Sequence, residues 1–243
     1  MRVVPVPCLK DNYAYLVLCD ETGECAVVDP SEAAPVLEAV AREKAKLVAI
    51  WNTHHHFDHV GGNEELAARG VREVSGHASD RGRIPAQTRF LETGDLVEVG
   101  NIRARTIHVP GHTLGAIAYV IDREGDRAVF TGDTMFLAGC GRLFEGTPAQ
   151  MYASLTALAA LPPETRVYCG HEYTASNLRF AQHVEASNAD VTRALDECTK
   201  TRDAGKPTVP GTIAGERATN PFVRASGVEQ LAARRAEKDE FKG

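Results

Sequence analysis

The run Thr53-His54-His55-His56-Phe57-Asp58-His59, followed after Val60 by Gly61-Gly62, decides how the rest of the chain is read. It sets five metal-ligand side chains into six consecutive positions, 54 to 59. It comes directly after an apolar segment, residues 47–51, whose pattern predicts a buried strand. Imidazole nitrogen and carboxylate oxygen are donors that zinc, iron and manganese all accept. Packing gives no reason for such a cluster at a strand end, so the stretch points to a metal-dependent enzyme. Alternate side chains of an extended segment face opposite sides. His54 and His56 therefore share one side, and His55, pointing the other way, is left out of the ligand set.

Three later pieces share a form, a strand-like run that ends in a glycine-containing turn bearing a ligand-type residue. They are Pro110-Gly111-His112-Thr113, Thr131-Gly132-Asp133-Thr134 and Gly170-His171-Glu172. Strand ends along one rim of a sheet are where an α/β architecture gathers catalytic groups from distant sequence. Seven donors result: His54, His56, Asp58, His59, His112, Asp133 and His171. A tetrahedral structural zinc uses only four and keeps no open position. Seven suit two ions that share one bridging carboxylate and a bridging water. Asp29, ahead of Pro30, reads either as a turn residue or as a group that orients a ligating imidazole from behind. The lone histidines His77, His108 and His183 read as surface or supporting groups.

Composition narrows the class. The apolar share of 43% and charged share of 25% are ordinary for a soluble globular chain. No apolar run approaches the ~20 residues of a membrane span. Residues 1–7 are strand-like, carry two prolines and lack the features of a secretory signal. A soluble cytoplasmic protein with no membrane partner is expected, and a monomer. The six cysteines are scattered with no CxxC pair, the pattern of reduced thiols; Cys140, between Gly139 and Gly141, reads equally as a thiol near the site and as a small loop filler. A net charge of −6 argues against nucleic acid. From residue 174 onward there are 11 basic and 10 acidic residues, against 16 and 23 before it, so the C-terminal part is +1 and the rest −7. That distribution suits a small anionic substrate.

Along the chain, the patterns predict strands over 13–18 and 25–29 around a turn at 21–23, then a helix over 31–44 with Ser31 as its N-cap. A strand over 47–51, a helix over 63–69 and strands over 96–99, 102–109, 116–121 and 128–131 follow, then a helix over 148–161 and a strand over 166–169. Beyond residue 173 alternation gives way to helices over 174–184, 189–202 and 228–238, with a long Gly/Pro/Thr-rich loop over 205–220. The reading is an α/β fold with a catalytic domain over 1–173 and a helical domain over 174–243.

At this point the sequence resembles the metallo-β-lactamase superfamily, and within it glyoxalase II, the hydroxyacylglutathione hydrolases. The resemblance rests on Asp11-Asn12-Tyr13, the 53–59 run, Thr131-Gly132-Asp133-Thr134, Gly139-Cys140-Gly141-Arg142, the segment Tyr168-Cys169-Gly170-His171-Glu172-Tyr173, Asn220-Pro221-Phe222 and Arg235-Ala236-Glu237-Lys238-Asp239. It implies an αββα sandwich with an appended C-terminal helical, substrate-binding domain. It implies a first metal on His54, His56 and His112, a second on Asp58, His59 and His171, and Asp133 bridging. The ions would be divalent, zinc first, with iron or manganese as alternatives. The implied reaction is hydrolysis of S-(2-hydroxyacyl)glutathione, such as S-D-lactoylglutathione to D-lactate and glutathione, by a metal-bridging hydroxide in methylglyoxal detoxification. Asp58 and Asp133 would be the catalytic carboxylates. Glutathione recognition falls to Arg142, Tyr173, Arg235 and Lys238; the last two are three apart on a predicted helix, so both can face one anion. Phe144 stands where the family commonly has tyrosine, which removes one hydroxyl from that set. Two other readings are a mononuclear iron persulfide dioxygenase of the same superfamily and a non-enzymatic binder of metal or glutathione. The complete donor set speaks against both, and the 235–239 helix speaks against the dioxygenase.

Overall fold

Short apolar and alternating runs at the N-terminal end assemble into a six-stranded sheet of β1 (Arg2–Cys8), β2 (Asn12–Leu18), β3 (Glu24–Val28), β4 (Lys46–Trp51), β5 (Glu73–His77) and β6 (Arg89–Leu91), in that spatial order. β1, β2 and β3 run antiparallel, and β3 to β6 pair in parallel. The parallel part needs crossovers, which α1 (Ala33–Glu43), the single turn α2 (Phe57–Val60) and α3 (Asn63–Ala68) supply. A meander of β7 (Leu96–Val99), β8 (Ile102–His108), β9 (Ile117–Ile121) and β10 (Ala128–Gly132) forms four antiparallel strands of a second layer. The computed structural model describes residues 1–242. These strands make up one of its two compact units, Met1–His108 with Gly115–Gly132.

Alternation along the strands puts two cores on the two faces of the first sheet. On one face Leu16, Val27, Ile50 and Val74 pack with Val36, Ala39 and Leu66 of the crossover helices. On the other, Trp51 stacks on Tyr119 at 5.6 Å and Tyr15 meets Phe130 at 5.7 Å, so side chains of β4 and β2 interleave with those of β9 and β10. β2, buried at every position, lies between both cores and after Asn12 reads accordingly as a continuous apolar run.

The second unit, Val109–Leu114 with Asp133 onward, is mostly helical. It contains the two-residue strands β11 (Met135–Phe136) and β12 (Gly139–Cys140), α4 (Pro148–Ala159), β13 (Arg166–Cys169), α5 (Thr174–Val184), α6 (Ala189–Asp203), β14 (Gly211–Thr212), α7 (Ile213–Thr219) and α8 (Val228–Glu240). Thr147 and Gln150 close a capping box at the start of α4, with Pro148 at its first position. α5 and α6 enclose a small core of Leu178, Ala181, Val191 and Cys198 with Ala138. All six cysteines are free and buried, and among the described residues no helix is long and apolar enough to cross a membrane.

Two expectations are corrected. Residues 205–220 are not one long loop, because Gly211–Thr212 form β14 and Ile213–Thr219 form α7. Thr212 caps that helix by accepting from Gly215 N at 3.1 Å, and Ile213 and Glu216 are buried on it. Ser31 is not the cap of α1, which starts one residue later than expected, behind Glu32 and without a side-chain cap. The reason lies in the packing: Gly62 N donates to Pro30 O at 2.8 Å, and a Cβ on Gly62 would sit 2.7 Å from that oxygen. The 30–31 backbone is thus held against the glycine pair that follows the histidine run. Finally, β5, β6 and α2 carry too little periodicity in too few residues to stand out.

Gly132, at φ +48, is the hinge from β10 into Asp133, and a Cβ there would lie 2.2 Å from Thr53 Oγ1. Gly132→Ala is expected to lower stability by ~1–3 kcal/mol, from left-handed strain plus the clash, and to disturb the hydroxyl of Thr53. Chemical denaturation of the two proteins checks it; equal midpoints would show that Thr53 moves aside at no cost.

Candidate metal centre

Each unit presents its own group of donors. In the first, β4 ends at Trp51, and Asn52 and Thr53 lead into the histidine run, which closes into α2. The end of β3 bends sharply at Asp29, whose φ of 48° is in the left-handed region that Asp tolerates better than most residues. That bend places a buried carboxylate beside the run. Asp29 Oδ1 accepts from Thr53 N at 2.7 Å, and Oδ2 accepts from Thr53 Oγ1 at 2.6 Å and from His59 Nδ1 at 3.0 Å.

These bonds assign the imidazole tautomers, since hydrogen positions follow from partners. Thr53 Oγ1 donates its proton to Asp29, so at 3.1 Å from His54 Nδ1 it accepts. His54 and His59 are therefore both protonated at Nδ1 and carry their lone pair at Nε2, the form in which imidazole ligates a metal. His54 Nε2 lies 3.2 Å from His56 Nδ1. Asp58 is steered by Asn12, whose Nδ2 donates to its backbone carbonyl at 2.9 Å and to Oδ2 at 3.1 Å. The ligand atoms of Asp29, His54 and His59 also lie within 4.8 Å of one another. With both oxygens of Asp29 already engaged, that carboxylate serves as the orienting group and not as a donor to metal. His55 faces elsewhere: its Nδ1 is 3.3 Å from Asp80 Oδ1 and its Nε2 meets Arg83.

In the second unit Asp133 is flanked by two histidines. Its Oδ2 lies 3.5 Å from His112 Nε2 and 3.3 Å from His171 Nε2. His112 Nδ1 donates to Arg142 O at 2.9 Å, which again leaves Nε2 as the lone-pair nitrogen. A tetrahedral ion with 2.0–2.1 Å bonds to nitrogen or oxygen needs donors spaced at roughly 3.3–3.4 Å along each edge. The donor spacings of 3.2, 3.3 and 3.5 Å fit that requirement, and His59 Nε2 to Asp58 Oδ2, at 3.8 Å, is wider. The donor set is that of a divalent metal centre. Imidazole and carboxylate donors do not select among zinc, iron and manganese.

The residues expected at the substrate lie in the second unit. Arg142, Phe144, Pro148, Arg235, Ala236 and Asp239 line a pocket of about 360 Å³. Arg235, buried, donates from one terminal nitrogen to Cys140 O at 2.7 Å and from the other to Asp239 Oδ1 at 2.9 Å. Arg142 Nε is 3.3 Å from the same Asp239 oxygen. Lys238 Nζ donates to the carbonyl and hydroxyl of Ser176, both at 3.0 Å, and lies over the rings of Phe180 and Phe241. Arg235 and Lys238 thus have separate partners in this structure. Tyr173 stacks flat on His171 at 4.7 Å, and Phe144 meets His112 edge-on at 5.2 Å. Burial pushes the Cys140 thiol up to about 11, against the opposing pull of Arg235. His77 and His108 stack on each other at 4.3 Å, and His183 pairs with Glu237. Asn12 and Thr53 hold donors in place, a role that their sequence motifs do not reveal. An asparagine inside a buried strand, where such residues are disfavoured, was the available signal for the first.

Two family models match the chain in tandem: the metallo-beta-lactamase superfamily over residues 10–171 and the hydroxyacylglutathione hydrolase C-terminus over 172–242. Over 254 residues the chain is 50% identical to the hydroxyacylglutathione hydrolase of Synechococcus sp. (strain JA-2-3B'a(2-13)), covering 99% of this chain and 100% of that one. Among solved structures it is similar to ETHE1 from Myxococcus xanthus, with a TM-score of 0.73 and 26% identity over 100% of this chain and 92% of that one. It is also similar to TTHA1623 in a di-iron-bound form, with a TM-score of 0.61 and 28% identity over 91% of this chain and 100% of that one.

Loss of an orienting carboxylate typically costs a metal site ~10–100-fold in affinity. Asp29→Ala is expected to weaken the site that uses His59 by about that factor, read by competition for zinc with a chromophoric chelator. Unaltered affinity would reduce Asp29 to a brace for the turn.

Proposed function

We infer the reaction from one premise: the chain belongs to the hydroxyacylglutathione hydrolases of the metallo-beta-lactamase superfamily. The protein is a metal-dependent thioester hydrolase. It cleaves S-(2-hydroxyacyl)glutathione, such as S-D-lactoylglutathione, to the 2-hydroxy acid and glutathione, the second half of methylglyoxal detoxification. The observation that carries the reading is the single Asp133 oxygen set between His112 and His171. A carboxylate flanked in this way is suited to bridge two ions. His54, His56 and His112 would hold the first, with zinc the leading candidate, and Asp58, His59 and His171 the second. Metal held by these residues would supply a water of near-neutral pKa and polarisation of the thioester carbonyl.

The chain's own residues fix the donors and the substrate. Asp29, Thr53 and Arg142 O hold three imidazoles with Nε2 forward, and Asn12 aims Asp58. No side chain is needed as an acid, because glutathione leaves as a thiolate whose parent thiol has a pKa of about 8.5. Nor is one needed as a nucleophile, since Cys140 is buried and protonated at neutral pH. Arg142, Arg235, Lys238 and Tyr173 form the glutathione-binding set, with residues 174–243 supplying the two last cations. A substrate carboxylate competes with Asp239 for the guanidinium groups of Arg142 and Arg235 by charge-assisted bonds. The protein works in the cytoplasm as a monomer, without nucleic acid or membrane.

Purified protein loaded with zinc or iron is expected to release glutathione and D-lactate from S-D-lactoylglutathione. Asp58→Ala should lose one ion per chain and at least ~100-fold in kcat, because a two-ion mechanism needs the whole donor set. Elemental analysis beside the thioester assay decides; full activity with one ion bound would sink the dinuclear reading.

Burial, and then the repulsion of Arg235 and Arg179, pulls the Lys238 ammonium down to about 8, against the attraction of Asp239. The charged form is the one that attracts a carboxylate, so KM should be lowest below pH 8 and rise above it. Lys238→Ala should raise KM several-fold at pH 7, with a smaller change in kcat, and flatten that rise. A wild-type KM unaffected by pH from 7 to 9 would remove Lys238 from the binding set.

A further inference from the structure

The turn that joins β11 to β12 is held almost entirely by side chains from other elements. Asn220 Nδ2 donates to Phe136 O at 3.2 Å and to Gly139 O at 2.9 Å. Asn177 Nδ2 donates to Leu137 O at 3.1 Å. Ala138 N donates to Glu216 Oε2 at 2.8 Å, and the same oxygen accepts from Asn220 at 2.8 Å. Ala138 has a φ of 56°, a conformation alanine adopts only where its surroundings impose it. The two strands contribute just two pairs, Met135↔Cys140 and Phe136↔Gly139. A ladder that short does not hold its own turn.

What hangs from this turn matters for binding. Immediately after it, Cys140 O accepts from Arg235 and so fixes the direction of that guanidinium. Two residues further comes Arg142. Before the turn, Phe136 lies edge-on to His171 and Tyr173, at 5.9 and 5.4 Å. The ligand end has its own anchor, since Thr134 Oγ1 donates to Val109 O at 3.1 Å. A loosened turn therefore reaches Arg235 and Arg142 first and Asp133 last.

We propose that Glu216, acting with Asn220 and Asn177, is a positioning residue for substrate binding: it sets the 136–139 turn and, through Cys140 O, aims Arg235 into the pocket shared with Arg142. This rests on the reading of Arg142 and Arg235 as glutathione-binding residues. Glu216 sits on α7, is 3% exposed, and has no cation among its bonds. Burial pushes its carboxyl up to about 7, opposed by the Asn220 and Ala138 bonds. Its role is that of an acceptor for two N–H groups, which a glutamine oxygen can also fill. Alanine cannot, and would strand the buried Ala138 N–H.

The test compares wild type, Glu216→Gln and Glu216→Ala, each metal-loaded. Binding of S-methylglutathione is measured by calorimetry, and kcat and KM on S-D-lactoylglutathione, metal content and Tm are measured in parallel. Glu216→Ala is expected to weaken S-methylglutathione binding and raise KM about tenfold, with kcat within about twofold and both ions retained. Glu216→Gln should stay within about twofold of wild type throughout. Wild-type binding by a folded Glu216→Ala overturns the proposal, as does parallel loss of metal, kcat and binding in both variants. Should Glu216→Ala not fold, Asn177→Ala, which cuts only the Leu137 bond, carries the same test, and unchanged binding there overturns it. A wild-type protein that binds S-methylglutathione without hydrolysing the thioester refutes the proposed reaction and leaves the binding comparison to decide. A wild type that does not bind it removes premise and proposal together.

Discussion

The buried carboxylate of Asp29 organises the ligand run. A carboxylate removed from water is costly unless its lone pairs are met. Here three donors meet them, the backbone N–H and hydroxyl of Thr53 and the ring nitrogen of His59. No cation takes part in these bonds, so the arrangement depends on geometry. The left-handed bend at residue 29 brings the carboxylate off the end of β3 and against the end of β4. One group thereby ties three points of the chain, residues 29, 53 and 59, and sets the register of the donors lying between them.

The imidazoles are oriented by three different chemistries, which need not be equivalent. His54 gives its Nδ1 proton to a hydroxyl, His59 to a carboxylate and His112 to a main-chain carbonyl. A carboxylate partner raises the basicity of the far nitrogen more than a neutral oxygen does. His59 is thus the strongest donor of the three toward an ion, and the hydroxyl on His54 is itself polarised by the same Asp29. The second unit applies the same principle with main-chain oxygens: Arg142 O orients His112, and Cys140 O orients Arg235. These two carbonyls lie two residues apart on one strand exit, which joins the orientation of a metal-type donor to that of a substrate-type cation.

Much of this was legible in the residues. The period-2 runs that became β7 to β10 and the helical spacing of α4, α5 and α8 were readable because each buries a face over enough positions to repeat. α5 spans 174–184, as its spacing predicts. Asp29 stood open between turn residue and orienting group, and the structure shows it doing both, because one backbone bend serves both ends. The unread parts were short or held from outside. α7 lies within a Gly/Pro/Thr-rich stretch and shows only seven residues of helix. The β11–β12 turn is specified by Asn177, Glu216 and Asn220, which lie about 40 to 84 positions away along the chain, beyond any local pattern. Ser31 looked like a cap because Ser before an apolar run usually is one. The close approach of Gly62 had the stronger claim on that backbone.

The leaving group explains why the polar effort of this chain goes into orientation. An amide or ester substrate demands a proton for its departing nitrogen or oxygen, and a positioned acid, a side chain or a water, then supplies it. A thioester makes no such demand, since its thiolate departs unprotonated near neutral pH. Cys140 and Cys169 accordingly show no activation: burial raises the first to about 11 and the second to about 12. No carboxyl needs to be perturbed toward neutrality beside the donors for acid chemistry. What the proposed reaction leaves for side chains is to hold donor atoms at ligand spacing and, in the proposed binding set, to hold guanidinium groups toward an anion. Those two tasks account for Asn12, Asp29 and Thr53 on one side and for Asp239, Cys140 O and the 136–139 turn on the other.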